Sequence, residues 1–304
     1  MKYRTLQQEF HATSSSSKTR TEELYQQRLN SEDAVHYPFA LHNDPLFYIL
    51  TPEIRELTTE LNTRNTEFLN RWNNLPHKTA EKILQKLVIN EVIATNEIEG
   101  ITISDDEISA ALHNPHARFS EMFRCYLELS HSTAELPATP SDLRELFDTL
   151  MVGQLNPDQE LDGEFFRKEP VRIVDGNHKT VHSGFYPESK IIDGIQKTLD
   201  LFSEEDLATI MISHFMFETV HPFYDGNGRV GRYLLSVQLG KVLSPAVALI
   251  LSAEINRNVG KYYKAFQTVE HPLNRSDSTP FVIAMLEILR AGQQELSHLI
   301  EKHR

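Results

Sequence analysis

The chain has 304 residues, 40% hydrophobic and 24% charged, which suits a globular protein with a sizeable core. With only 12 Gly and 14 Pro it is no collagen-like or low-complexity chain, and no apolar run approaches the roughly 18 residues of a membrane span. A formal net charge of −13 argues against nucleic acid as a partner, because phosphate-backbone affinity comes from clustered Lys and Arg. Any nucleotide site must then be built from local positive groups.

The first residues lack the apolar stretch of a secretory signal, and the single cysteine, Cys125, excludes an internal disulfide. Both point to a reducing, cytoplasmic setting. In chain order, residues 1–45 carry a hydroxyl-rich stretch at 13–17 and few apolar positions. They are expected to form a weakly ordered tail with one helix near 22–29. Beyond them the apolar spacing is helical. Helices are expected at 52–72 and 79–97, at 104–112 behind a Ser104–Glu107 capping box, and at 118–136, where Cys125 sits on an apolar face. Others follow at 143–151 behind Ser141, at 190–202, 204–219, 228–242 and 253–269, and at 280–303. The fold class is mainly α. Four parts are expected: the tail, a helical region over 46–137, a core over 138–270 and a last helix within 271–304. Residues 170–185 break the helical period. Val171 and Ile173 alternate with polar residues and Asp175-Gly176 signals a turn, so a β-hairpin, the only one in the chain, is expected there.

The chemistry concentrates in His221-Pro-Phe-Tyr-Asp-Gly-Asn-Gly-Arg-Val-Gly-Arg232. Pro222 ends an apolar helix, and a glycine-rich loop then feeds a new helix N-terminus. Free N–H groups and the positive end of the helix dipole make that an anion site. Arg229 and Arg232 share a helix face one turn in, and two guanidinium forks suit a polyphosphate. Asp225 is a hard oxygen ligand of the kind Mg²⁺ on phosphate requires, and His221 can take a proton near neutral pH. The competing reading of His214, Glu218, His221 and Asp225 as a hydrolase metal face fails on the break at Pro222. No phosphate-binding GxxxxGK[ST] loop occurs.

This segment resembles the Fic family signature, HPFx(D/E)GNGRxxR, and matches it at every fixed position. The resemblance covers roughly 143–241. It implies a protein adenylyltransferase that moves AMP from ATP to a Ser, Thr or Tyr hydroxyl of a target protein and releases pyrophosphate. By the same resemblance His221 is the general base and Asp225 the Mg²⁺ ligand. Asn227 with the Gly226 and Gly228 backbone would cradle the α-phosphate, while Arg229 and Arg232 would clamp the β- and γ-phosphates. Phe223 is an apolar anchor. The hairpin falls where the family's flap docks an extended target segment, through Arg172, Ile173 and Val174; an ordinary surface hairpin is the alternative. Tyr262 or Tyr263 would lie near the adenine, or pack in the core.

Thr95-Asn-Glu-Ile-Glu99-Gly100 resembles the family's inhibitory motif, in which the Glu pairs with the second motif arginine, here Arg232. Thr95 and Glu99 lie four apart on one helix face, and Gly100 is placed to end the helix. The expected function is therefore self-inhibited and Mg²⁺-dependent, with ATP as substrate. The alternatives are AMP removal, transfer of another phosphate-linked group, or a non-catalytic module. Kinase chemistry is disfavoured because such relatives carry Lys where Gly228 stands. A protein target is implied without being identified, no membrane partner is, and the sequence is compatible with a homo-oligomer. His178 and His182 are expected to be solvent-exposed.

Overall fold

The N-terminal segment folds onto the far end of the chain. In this computed structural model, which describes residues 3–12, 17–174 and 180–301, α1 (Leu6–Ala12) and α2 (Ser17–Leu29) precede an antiparallel hairpin of β1 (Ala34–Leu41) and β2 (Asp44–Ile49). Leu6, Tyr25 and Phe47 close a small apolar cluster between them. Arg28 pairs with Asp277 at 3.0 Å, and Arg275 pairs with Asp44 at 2.8 Å. The expected weakly ordered tail is thus corrected: its charges find partners near the other end of the chain, which local composition does not reveal. The second hairpin also corrects the expectation of only one. Its strands contain Pro38 and Pro45, which weaken a strand signal. Its turn uses His42 and Asn43 at φ 50° and 73°, without glycine.

The rest is mainly helical, as expected. α3 (Pro52–Trp72) is capped by Thr51, whose hydroxyl accepts from the Ile54 N–H at 3.2 Å. α4 (His77–Ile98) and α5 (Asp105–His113) follow, the latter behind the Ser104–Glu107 box. α6 (Ser120–Ser130) stops well before 136. α7 (Pro140–Leu150) starts behind Thr139 rather than Ser141, with Asp142 completing the box. Next come the hairpin strands β3 (Arg172–Val174) and β4 (Thr180–Ser183), then α8 (Glu188–Leu199), α9 (Leu207–Val220) and α10 (Asn227–Val242). α11 (Pro245–Ala248), α12 (Leu251–Arg257), α13 (Val259–Glu270) and α14 (Thr279–Glu301) complete the chain. One helix was expected over 253–269. It breaks at Asn258, whose side-chain amide turns back to the Glu254 carbonyl and carboxylate at 3.0 and 2.7 Å.

The core centres on α9, buried along almost its whole length between α8, α10 and α14. α3 and α13 pack on α14, while α4 packs on α6 and α12 and touches α10. That contact brings the C-terminal turn of α4 to the N-terminus of α10. In the hairpin, Arg172 faces Ser183, Ile173 faces His182 and Val174 faces Thr180. Its Asp175-Gly176 turn and His178 lie outside the described residues, as do most of the hydroxyl-rich stretch and the chain beyond Glu301. The base of the hairpin is pinned by the Phe185 N–H donating to the Val220 carbonyl at 3.0 Å and by Phe185 stacking on Phe39. Cys125 is buried, as expected for a small core residue. Among the described residues no helix is long and apolar enough to cross a membrane.

Candidate active site

α9 ends at His221 in the left-handed conformation, φ 53° and ψ 63°, which a non-glycine residue adopts only when its surroundings impose it. Here they do. Arg167, fully buried, donates to the carbonyls of His221 at 2.9 Å, Phe185 at 2.8 Å and Glu169 at 2.7 Å. One planar guanidinium thereby ties the histidine to the hairpin base. Sequence reasoning missed Arg167, and no local pattern marks it. Phe223 stacks on Phe147 with centroids 3.9 Å apart, an apolar anchor as expected.

Asn227 closes the loop on itself. Its carbonyl accepts from the Phe223 N–H and its amide donates to the Phe223 carbonyl, both at 2.9 Å. The side chain thus staples the loop, and its amide keeps a second N–H beyond the one used here. What faces an anion is the first turn of α10, entered through Gly226 at φ 85°, and the arginines behind it.

Arg229 is buried. Its Nη1 donates to Gln154 Oε1 at 3.2 Å, and Nη2 stands 3.2 Å from Asp225 Oδ1 as an ion pair, yet Nε and Nη2 make no hydrogen bond. Buried guanidinium donors without acceptors are costly, and an anionic oxygen would complete them. Asp225 Oδ1 also accepts from the Gly226 N–H at 2.6 Å, while its other oxygen carries no protein hydrogen bond among the described residues. Nor, among those residues, does any cluster of three His, Cys, Asp or Glu form a closed metal cage. One carboxylate beside a phosphate pocket fits Mg²⁺, which keeps its waters and shares phosphate oxygens.

Arg232, 1% exposed, is held entirely by α4. Its Nε donates to the Thr95 hydroxyl at 2.9 Å, and its Nη2 donates to the Thr95 carbonyl at 2.8 Å and to Glu99 Oε1 at 2.7 Å. The end of α4 makes this possible. Gly100, at φ 74°, donates to the Glu97 carbonyl at 2.9 Å, and the Ile101 N–H reaches back to Asn96 at 2.9 Å, a Schellman stop. The Glu99 N–H turns to Asn96, which leaves the Thr95 carbonyl for the arginine. Burial works against the Arg232 charge, but Glu99 outweighs it and the guanidinium is held firmly protonated. One turn earlier on the same face, Glu91 is buried and accepts from the Ser252 N–H at 2.9 Å; burial pushes its carboxyl up to about 7.

His221 Nδ1 lies 3.2 Å from the Glu218 carbonyl. That partner assigns the proton to Nδ1 and leaves Nε2 as the acceptor. Burial pushes the imidazole down to about 3, with His182 adding to the effect, so the ring is neutral at physiological pH. His182 is not solvent-exposed as expected. It is nearly buried, with Nδ1 2.8 Å from Glu270, because the hairpin leans on the end of α13. A cleft of about 490 Å³ joins Glu99, Glu218, His221, Gly228 and Arg232 to α13. On α13, Tyr263 is 43% exposed, whereas Tyr262 is 2% exposed and its hydroxyl is fixed to His214 Nε2 at 2.8 Å. Tyr262 thus lines the cleft as a buried, fixed ring, and Tyr263 is the more exposed aromatic beside it. Arg172 is exposed on β3, while Ile173 and Val174 are placed only as strand backbone.

Residues 137–239 match the Fic/DOC family model. Over that stretch, about a third of its length, the chain carries a Fic/DOC family domain. A probable protein adenylyltransferase of Aquifex aeolicus is 28% identical to this chain over 172 residues, 52% of this chain and 50% of that one. The protein adenylyltransferase fic-1 of Caenorhabditis elegans is 24% identical over 252 residues, 76% of this chain and 46% of its own. The chain spans about half the length of these curated relatives. A crystal structure of a Fic family protein from Desulfovibrio desulfuricans superposes with a TM-score of 0.65 at 24% identity, over 84% of this chain and 77% of that one. Fic-1 from C. elegans superposes at 0.57 and 17% identity, over 98% and 82%. These structures share the mainly helical fold.

Proposed function

We propose that this protein transfers AMP from ATP to a hydroxyl of a target protein, releasing pyrophosphate, and that Glu99 holds it inhibited. The observation that carries the reading is the set of groups around one loop and helix N-terminus: a neutral His221 and a buried Arg232 on the cleft wall, with the buried Arg229 and the Asp225 carboxylate on the same loop and first turn. His221 Nε2 accepts the proton of the incoming Ser, Thr or Tyr as its oxygen attacks the α-phosphorus. Its Nδ1–H stays on the Glu218 carbonyl. The developing charge meets the α10 N–H groups and Arg229, preorganised donors in a partly dry site. Asp225 would hold Mg²⁺, which when bound neutralises charge across the phosphate oxygens. Arg232 is the γ-phosphate clamp. While it is paired with Glu99 the terminal phosphate has no seat, and the carboxylate repels the triphosphate.

The β3–β4 hairpin docks an extended target segment by adding a strand. Resemblance to proteins named adenylyltransferase supports this choice over other phosphate-linked transfers. The test compares ATP labelled at the α- and γ-phosphates with Glu99→Gly protein. Label reaching protein from the α-position alone is expected. Transfer of γ-label would make the protein a kinase, and transfer of neither would remove the enzymatic reading.

A further inference from the structure

The cleft holds a carboxyl group that the transfer reaction does not use. Glu218 lies on α9 one turn before His221, and its Oε1 is shielded from solvent with no hydrogen-bond partner. It is packed so closely on α10 that a Cβ at Gly231 would stand 2.2 Å from it. Among the described residues no ion pair forms with it, although Arg232 lies nearby on α10. The exposed ring of Tyr263 flanks the same cleft from α13. We propose that Glu218 contacts the purine edge of the bound nucleotide, its carboxyl group turning from α10 into the cleft as the base enters. The assignment rests on the nucleotide reading of the cleft.

A purine edge bearing an exocyclic amine presents a donor beside a ring-nitrogen acceptor, the complement of a carboxylic acid. An ionised carboxylate would offer only acceptors, and would add negative charge to a cleft that must take a triphosphate. The surroundings favour the neutral form. Burial raises the group to about 8, Glu99 on α4 pushes the same way, and Arg232 opposes both without overcoming them. The other titratable groups lining the cleft are His221 on α9, Tyr262, Tyr263 and Glu270 on α13, and His182 on β4.

Calorimetry of ATP binding to Glu99→Gly protein, which needs no turnover, tests this. Glu218→Ala should weaken ATP by about 5–150-fold, the cost of leaving base groups unpaired. The parent should also prefer ATP over purine-riboside triphosphate, which lacks the exocyclic amine, and Glu218→Ala should bind the two alike. Affinity in the parent should fall between pH 7 and 9 as the acid ionises. Glu218→Gln, a neutral isostere expected to stay folded, should keep its affinity flat over that range. Equal ATP affinity in Glu218→Ala and parent, or the same pH dependence in Glu218→Gln, overturns the assignment. A parent that binds no ATP at all would instead overturn the nucleotide reading beneath it.

Discussion

The Glu99 carboxylate lies so close over Gly228 that a Cβ built there would meet its Oε1 at 2.1 Å. The Glu99 side chain therefore covers the first turn of α10 as well as Arg232, and under the proposed function it occupies the place an anion would take. Glu99→Gly should raise adenylylation by about 5–150-fold, the usual size of coupling between two occupants of one site. Adding Arg232→Ala should abolish the gain. Glu97→Gly is the control: its carboxylate accepts from Asn256 at 2.8 Å on another face and should change little. An equal rise in the control would refute the pairing as a brake. Label incorporation from ATP reads all three.

His221→Ala, made in Glu99→Gly protein, should lower transfer by about 10²–10⁴-fold, as expected for a lost general base. ATP affinity by calorimetry should be almost unchanged, because the imidazole holds no phosphate. Undiminished modification would assign the base elsewhere.

Asp225→Ala should remove the dependence of ATP binding on Mg²⁺, since the remaining loop donors are N–H groups that cannot ligate a hard cation. Titrations with and without Mg²⁺ check it. A Mg²⁺ effect that survives the change would move the metal site off this loop.

The two tyrosines of α13 should separate. Tyr262→Phe loses the bond to His214 and should cost about 1 kcal/mol of stability with ATP affinity unchanged. Tyr263→Ala should leave stability alone and weaken ATP by about 2–10-fold through lost ring stacking. Denaturant midpoints and calorimetry distinguish them, and the reverse pattern would make Tyr262 the ring that meets the base.

Glu91 gives the fold a pH signature. Its carboxyl stands at about 7 when folded against an ordinary 4.5, so between those values the native chain binds its proton more tightly than the unfolded chain does. Its contribution therefore makes stability fall as pH rises from about 4.5 to 7. Glu91→Gln should flatten that fall by at most about 3 kcal/mol. Glu218, raised to about 8, acts in the same sense and leaves part of the slope. Urea midpoints at pH 5 and 7.5 read the difference, and an unchanged slope would mean that Glu91 is ionised in the core.

Sequence carried the α3 helix and the Ser104–Glu107 box because their signals are local: apolar residues at helical spacing and a three-residue cap. It carried the pairing of Glu99 with Arg232 only through resemblance, since nothing in either segment points at the other. The β1–β2 hairpin was hidden by prolines inside its strands and by a turn of His42 and Asn43 in place of glycine. Arg167, which sets the backbone of His221, was invisible because all three of its acceptors are carbonyls, and carbonyls carry no residue identity. Asn227 shows a further loss: its bonds to the Phe223 backbone, which close the loop, were not foreseen.

The three bonds of Arg232 divide unequally. Two go to Thr95, in the body of α4, and one goes to Glu99 at its end. When the Glu99 side chain turns aside, the guanidinium keeps its mount and stays aimed, so no helix has to move. Glu99 is 30% exposed, and side-chain rotations of that kind take picoseconds to nanoseconds. The off state would then be a rapid average and not a locked structure, with a standing leak of about 1–20% of the uninhibited rate. An activator of such an enzyme has only to hold one carboxylate away from a site it already leaves many times in every turnover.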